Sequence, residues 1–222
     1  MRYTLIFLLN LFFLSCSSIP NEYLANDDAC HYTDPIFKIT KEELFLNPNI
    51  LKQSKDENGD IVLTDNKNYK NLFSVLSGGY IANYQTNKKL GIDKWVLYRK
   101  NRTIKRVSFI YLNGTKEISQ ETHYDEKGNI TKIIDYEKGY KICWKEAIEI
   151  VKKIAKKDIE KYEIKGYNLS HNNLNEFPNG NPEWQISLDG NEEYEEKDTK
   201  IYAIDGVTGK LIRTYKITME HY

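Results

Sequence analysis

The side chains best suited to chemistry in this 222-residue chain are three cysteines, four histidines and one dense run of carboxylates. A catalytic thiol needs a base to take its proton, and His31, His123, His171 and His221 show no spacing that nominates one. The same scatter puts no pair at the short intervals from which zinc sites are built. Glu192, Glu193, Glu195, Glu196 and Asp198 lie between two strand-like segments, with no histidine, isolated carboxylate pair or glycine-rich cradle beside them. They read as a solvated hairpin loop, with weak calcium binding the lesser reading. Ser77-Gly78-Gly79 lacks the lysine and serine of a phosphate loop and reads as a hinge. No catalytic residue, metal or cofactor is nominated, and the chain is expected not to be an enzyme.

The remaining cysteine has a different setting. Met1 to Ser15 carries Arg2, then a short run of Leu, Ile and Phe, then Leu14-Ser15 before Cys16. A run this short with a cation ahead of it is an export signal, not a membrane span. Leu14-Ser15-Cys16 resembles the lipobox of bacterial lipoproteins, with Phe13 where that family usually has Leu. The resemblance implies cleavage before Cys16 and acylation of its thiol, which would hold the mature chain on a membrane without a spanning helix. With Ser17 after the cysteine, it further implies that sorting favours the outer membrane. The predicted location is the cell envelope, outside the cytoplasm. An ordinary secretory signal with an incidental cysteine is the plainer alternative.

In an oxidising compartment Cys30 and Cys143 can pair, tying the N-terminal arm to a helix start; a free Cys143 buried there is the other reading. Formal charge is zero over the whole chain and minus one after loss of the signal, which argues against a nucleic-acid partner. The distribution is uneven, with eleven Lys or Arg against Asp93 alone from Lys67 to Lys116. Arg99, Lys100, Arg102, Lys105 and Arg106 are the candidate contacts for a protein partner in the envelope. A solvated sheet face explains the same charges.

The elements that must position these groups divide the chain into a signal over 1–15, a tether over 16–34, an N-terminal region with an antiparallel meander over 35–140, and a helix-and-sheet unit over 141–222. Thr40-Lys-Glu-Glu43 has capping-box form and opens a short helix that Pro48 stops. Asp56 to Asp60 predicts a turn before a strand at Ile61-Val-Leu63, and Tyr69 to Leu76 predicts a short helix. From Trp95 the chain reads as strands: Trp95 to Arg99, Ile104 to Leu112, Glu117 to Tyr124 and Ile130 to Tyr136. Asn113-Gly114 and Asp125 to Asn129 supply hairpin turns. Tyr124 to Ile130 also looks like one unit of the tyrosine-aspartate repeats of bacterial surface and toxin shells, although a single copy defines no repeat array.

Ile142 to Lys157 predicts an amphipathic helix with Trp144, Ala147, Ile148, Val151, Ile154 and Ala155 on one face. Strands follow at Tyr162 to Ser170 and Trp184 to Leu188, and Tyr202 to Leu211 forms a hairpin through Asp205-Gly-Val-Thr-Gly209 that returns Ile204 and Leu211 to a common apolar face. This order, a tryptophan strand before an Asp-x-x-Thr-Gly hairpin, is similar to the PepSY family of exported domains. The expected fold is α+β, an antiparallel meander followed by a PepSY-like helix packed on a small antiparallel sheet. The resemblance implies a peptidase-modulating role, and the anchored, charge-segregated form also suits a toxin-neutralising immunity protein. The competing readings are an envelope hydrolase whose site assembles only in space, and a structural accessory of a surface assembly.

Overall fold

The computed structural model describes residues 30–113, 116–172, 174, 179–191, 193–194 and 199–216. The signal, Cys16, most of the tether, Gly114, most of the acidic run and His221 lie outside the described residues. The architecture is mixed α and β with two antiparallel sheets. The larger is a seven-stranded meander in sequence order: β1 Ile61–Asp65, β2 Tyr69–Val75, β3 Ile81–Asn87, β4 Ile92–Tyr98, β5 Ile104–Tyr111, β6 Lys116–Tyr124 and β7 Ile130–Asp135. Two helices follow, α1 Trp144–Ile154 and α2 Lys156–Tyr162. The smaller sheet is β8 Gly166–His171, β9 Glu183–Asp189, β10 Lys200–Asp205 and β11 Leu211–Lys216, again with each strand beside its sequence neighbour.

Short, strongly specified turns explain a meander of this length. Asp125 Oδ1 accepts from the backbone N–H groups of Lys127 and Asn129, both at 2.8 Å, and Gly128 supplies the left-handed residue at φ 84°. Asp56 repeats the device ahead of β1, accepting from Asn58 and Asp60 at 2.9 Å. Asp205 does so in the last hairpin, accepting from Val207 and Thr208 at 2.8 Å.

Three sequence expectations are corrected. Tyr69 to Leu76 is no helix; it is strand β2 through Val75, paired on both sides. Tyr69, Leu72, Phe73 and Leu76 happen to fall at helical spacing, but Asn71 and Phe73 face one way and Leu72 the other, as pairing with both neighbours requires. The helix expected through Lys157 breaks at Ala155 and resumes to Tyr162, ending on Glu163 in the left-handed region at φ 50°. Strand β8 therefore starts at Gly166, and Tyr162 packs its ring against Tyr194 with centroids 5.1 Å apart. Leu211, expected to share the Ile204 face, is 42% exposed, because the ladder shifts register between Ala203 and Ile204.

Thr40 to Glu43 does form its reciprocal cap, with the Thr40 N–H donating to Glu43 Oε2 at 2.7 Å, but the turn is 3-10 and ends at Leu44. In α1 the predicted apolar face buries Trp144, Ala147, Ile148 and Val151, whereas Ile154 is 44% exposed. Buried residues of the two sheets and the helices form one hydrophobic cluster. Cys30 and Cys143 are joined in a disulfide with Cα atoms 6.3 Å apart, which clips the described N-terminal arm to the start of α1. A cross-link spanning 113 residues restricts the unfolded chain strongly. Replacing both cysteines with serine is expected to lower unfolding free energy by about 2–4 kcal/mol, read from urea titration; an unchanged midpoint would contradict the clip.

Candidate functional site

Alternation along β4 separates the two faces of the large sheet. Ile92, Lys94, Val96 and Tyr98 are buried, and Asp93, Trp95 and Leu97 are half-buried. The buried face is covered by the N-terminal 3-10 turns, with Phe37 against Phe109 at 5.1 Å, and by the start of α1, with Trp144 against Tyr111 at 5.1 Å. Cross-strand register then dictates what the other face carries. Val62, Leu72, Tyr84, Trp95 and Ser108 line up in one row across five strands. Beside it run Ser74, Ala82, Leu97, Arg106, His123 and Lys132. On the other side lie Lys70, Thr86, Asp93, Ile110 and Glu117.

The centre of this face is aromatic. Tyr84 and Trp95 meet edge to face, with centroids 4.9 Å apart and planes at 83°. Their small neighbours Ser108 and Ala82 are both nearly inaccessible. Burial pushes the Asp93 carboxyl and the Tyr84 phenol upward. The Thr86 and Trp95 side chains hydrogen-bond the Asp93 carboxyl and oppose that rise without cancelling it.

A polar cluster borders the aromatic centre, created by a bulge in β6. Register shifts between Val107 and Phe109, so that Ser119 to Glu121 oppose Ser108, with Ser119 at φ 57°. The extra length brings Glu121 beside His123 on the same face. Glu121, only 7% exposed in its side chain, lies 2.6 Å from His123 Nε2 and 3.5 Å from Arg106 Nη1. Burial and Glu121 together push the Tyr136 phenol up to about 12. The carboxylate is thus shared between Arg106 and His123, and Lys132 on β7 stands at the end of the same row.

Glu137 pins the bulge from the far side. Its carboxylate accepts from the Ser119 N–H at 2.8 Å and from the Tyr32 hydroxyl at 2.5 Å, joining the N-terminal arm to β6. Burial outweighs both hydrogen bonds and raises its pKa from the ordinary 4.5 to about 6. A carboxyl raised in the folded state contributes stability fully below pH 4.5, and that contribution is lost as pH rises through about 6. The difference corresponds to about 2 kcal/mol. Glu137→Gln should remove this part of the pH dependence, measured as the difference in unfolding free energy between pH 4.5 and pH 7; identical slopes in both proteins would refute the assignment.

The five predicted contact residues do not make one patch. The Arg99 guanidinium donates to the carbonyls of Ile104, Tyr124 and Asp125, clipping the β4–β5 hairpin to the end of β6. Lys100 and Arg102 are exposed at the hairpin turn, where Arg102 takes φ 68°. Lys105 Nζ sits 4.3 Å from the Tyr80 ring centroid, and Arg106 alone lies in the rows of the open face. His171 is packed away between Tyr136, Tyr140 and Trp184, its Nε2 donating to the Glu117 carbonyl at 2.9 Å, and burial holds its pKa below the ordinary range. Among the described residues, Cys30, Cys143 and Glu146 form a group of metal-ligand dimensions, but both sulfurs are committed to the disulfide.

Sequence reasoning did not find Tyr84, Trp95 and Asp93 as a site. Its available signal was the strict alternation of Ile92 to Tyr98, which placed Trp95 on the side away from Val96. No helix among the described residues is long and apolar enough to cross a membrane. Compared with known families and with curated proteins, the chain matches no family model and no curated sequence.

Proposed function

We propose that this is a non-enzymatic envelope lipoprotein, anchored through acylated Cys16, that binds an exported protein on the open face of its seven-stranded sheet. The observation that carries the reading is the row Val62, Leu72, Tyr84 and Trp95, an apolar and aromatic strip left uncovered by the described residues. Aromatic side chains of this kind, ringed by polar groups, are the usual anchors of protein interfaces. Lys132, exposed at the end of the row whose Arg106 and His123 are taken up by Glu121, favours an acidic segment of the partner. An exported location is supported by the Cys30–Cys143 disulfide, since such bonds persist in oxidising compartments. The unit of α1 and the four-stranded sheet is PepSY-like in this reading, which suits modulation of a peptidase or neutralisation of a toxin.

The test is crosslinked recovery from the protein's own membranes, comparing the unaltered chain with Cys16→Ala and with Tyr84→Ala/Trp95→Ala. The reading expects one protein recovered stoichiometrically with the unaltered chain. Loss of both rings should weaken that complex by about 2 kcal/mol or more. Equal recovery with the double variant would show that the open face is not the interface, and equal recovery with Cys16→Ala would remove the need for the anchor.

A further inference from the structure

The covered face of the large sheet is not apolar throughout. Its central row reads Thr64, Asn71, Gln85, Lys94, Phe109 and Ile118, apolar at one end and polar at the other. At the polar end a cleft of about 310 Å³ opens between the Pro35–Phe37 turn and strands β1 to β3. We propose that this cleft binds a neutral saccharide. The inference does not rest on the open-face interface, which occupies the opposite side of the sheet.

The hydrogen bonds at the cleft wall leave one amide donor and one amide acceptor open. Lys94, 1% exposed in its side chain, donates to both oxygens of Glu43 and to the Lys38 carbonyl, so the pair is electrically closed. Gln85 Nε2 donates to Glu43 Oε1 and to Asn83 Oδ1, both at 2.7 Å, which uses its two donors and leaves Oε1 as an acceptor. Asn83 Nδ2 donates to Asn71 Oδ1 at 2.5 Å and to the Leu72 carbonyl at 3.0 Å, which leaves the Asn71 amide as a donor. A buried ion pair thereby fixes the orientation of every amide out to the cleft, presenting one neutral acceptor and one neutral donor side by side. Adjacent sugar hydroxyls, each able to donate and accept, fit that pair.

The remaining walls agree. Tyr69 is 48% exposed and offers a ring face to the carbon-bound hydrogens of a sugar, and Pro35 and Ile36 complete the apolar side. Asp34 keeps acceptor capacity beyond its bonds from the Ile36 N–H at 2.9 Å and from Asn87 at 3.4 Å. Lys70 and Thr86, paired across β2 and β3, also line the cleft, and Lys70 acts in addition on Asp65 and Asp93. The charged residues lining the cleft are Asp34 and Lys70, of opposite sign, so the site favours a neutral ligand. The volume lies at the small end of ligand sites, about 300–1,000 Å³. A polar chain of five side chains placed where Phe109 and Ile118 continue the row is also unfavourable for stability alone, which argues for use of its exposed end.

The experiment titrates the purified protein with chitotriose and cellotriose and follows the side-chain amide signals of Asn71 and Gln85 by NMR. Saturable shifts are expected with at least one trisaccharide at about 10 mM, the range that fills a millimolar site. Asn71→Ala should weaken that binding about tenfold or more. Tyr69→Ala, at an exposed ring with no part in the network, should do the same without changing the melting temperature. Absence of shifts with both sugars overturns the proposal, as does unaltered affinity in Tyr69→Ala. Stronger shifts from an uncharged capped tripeptide than from either sugar would assign the cleft to a peptide instead.

Discussion

Trp184→Ala is expected to destabilise the protein by about 3–5 kcal/mol, because it removes the largest fully buried side chain of the smaller sheet. Trp184 is 0% exposed. Its ring packs 4.6 Å from Tyr140 and 5.3 Å from His171, centroid to centroid, and its Nε1–H donates to the Ile142 carbonyl at 2.6 Å. The residue therefore fastens β9 to the segment leading into α1 while filling the space under the helix. Alanine would leave both a cavity and a carbonyl without its donor, and the two penalties act together. The Tyr140 hydroxyl, which accepts from the Glu183 N–H at 3.0 Å, would lose its packing support as well. Urea titration at fixed pH is the measurement, and a loss under about 1 kcal/mol would mean that the surrounding rings close over the gap. Trp184→Phe is the control: it restores most of the volume but not the hydrogen bond, so a loss near 1 kcal/mol isolates the Nε1 contribution.

What the sequence disclosed follows from which physical signals are local. The turns at Asp56, Asp125 and Asp205 were readable because one side chain closes each over four or five residues. The helix at Trp144 was readable because its burial stripe runs along one element. Strand β3 was not, since Asn83, Gln85 and Asn87 occupy the alternation that normally carries apolar residues to a core, while Ala82 and Tyr84 face the open side. The inversion is the same feature that builds the cleft. Nor could the open face be read from Trp95 alone, because a row across five strands is assembled from residues 62, 72, 84, 95 and 108 through register. Basic clustering between Arg99 and Arg106 overstated the surface charge, as Arg99 is used up on three backbone carbonyls.

Glu43→Ala should be at least as damaging as loss of Trp184, for an electrostatic reason. Lys94 stands in the centre of β4 at 1% side-chain exposure, 2.6 Å and 2.7 Å from the two Glu43 oxygens. Burial already drives its pKa down against the opposing pull of Glu43. Without that partner, the ammonium must either remain charged in the core or give up its proton, and breaking one side of such a pair typically costs about 3–5 kcal/mol. Gln85 would lose one of its two acceptors and Thr40 its reciprocal cap in the same step. Removing both charges is a different experiment. Glu43→Leu with Lys94→Met keeps the volume and leaves no buried ion, so stability should recover to within about 1–2 kcal/mol of the original, or exceed it. The double variant would still lack the fixed Gln85 and Asn71 amides, so it should fold without binding sugar. A double variant as unstable as Glu43→Ala alone would mean instead that the pair holds the N-terminal turns on the sheet through geometry that no apolar replacement supplies.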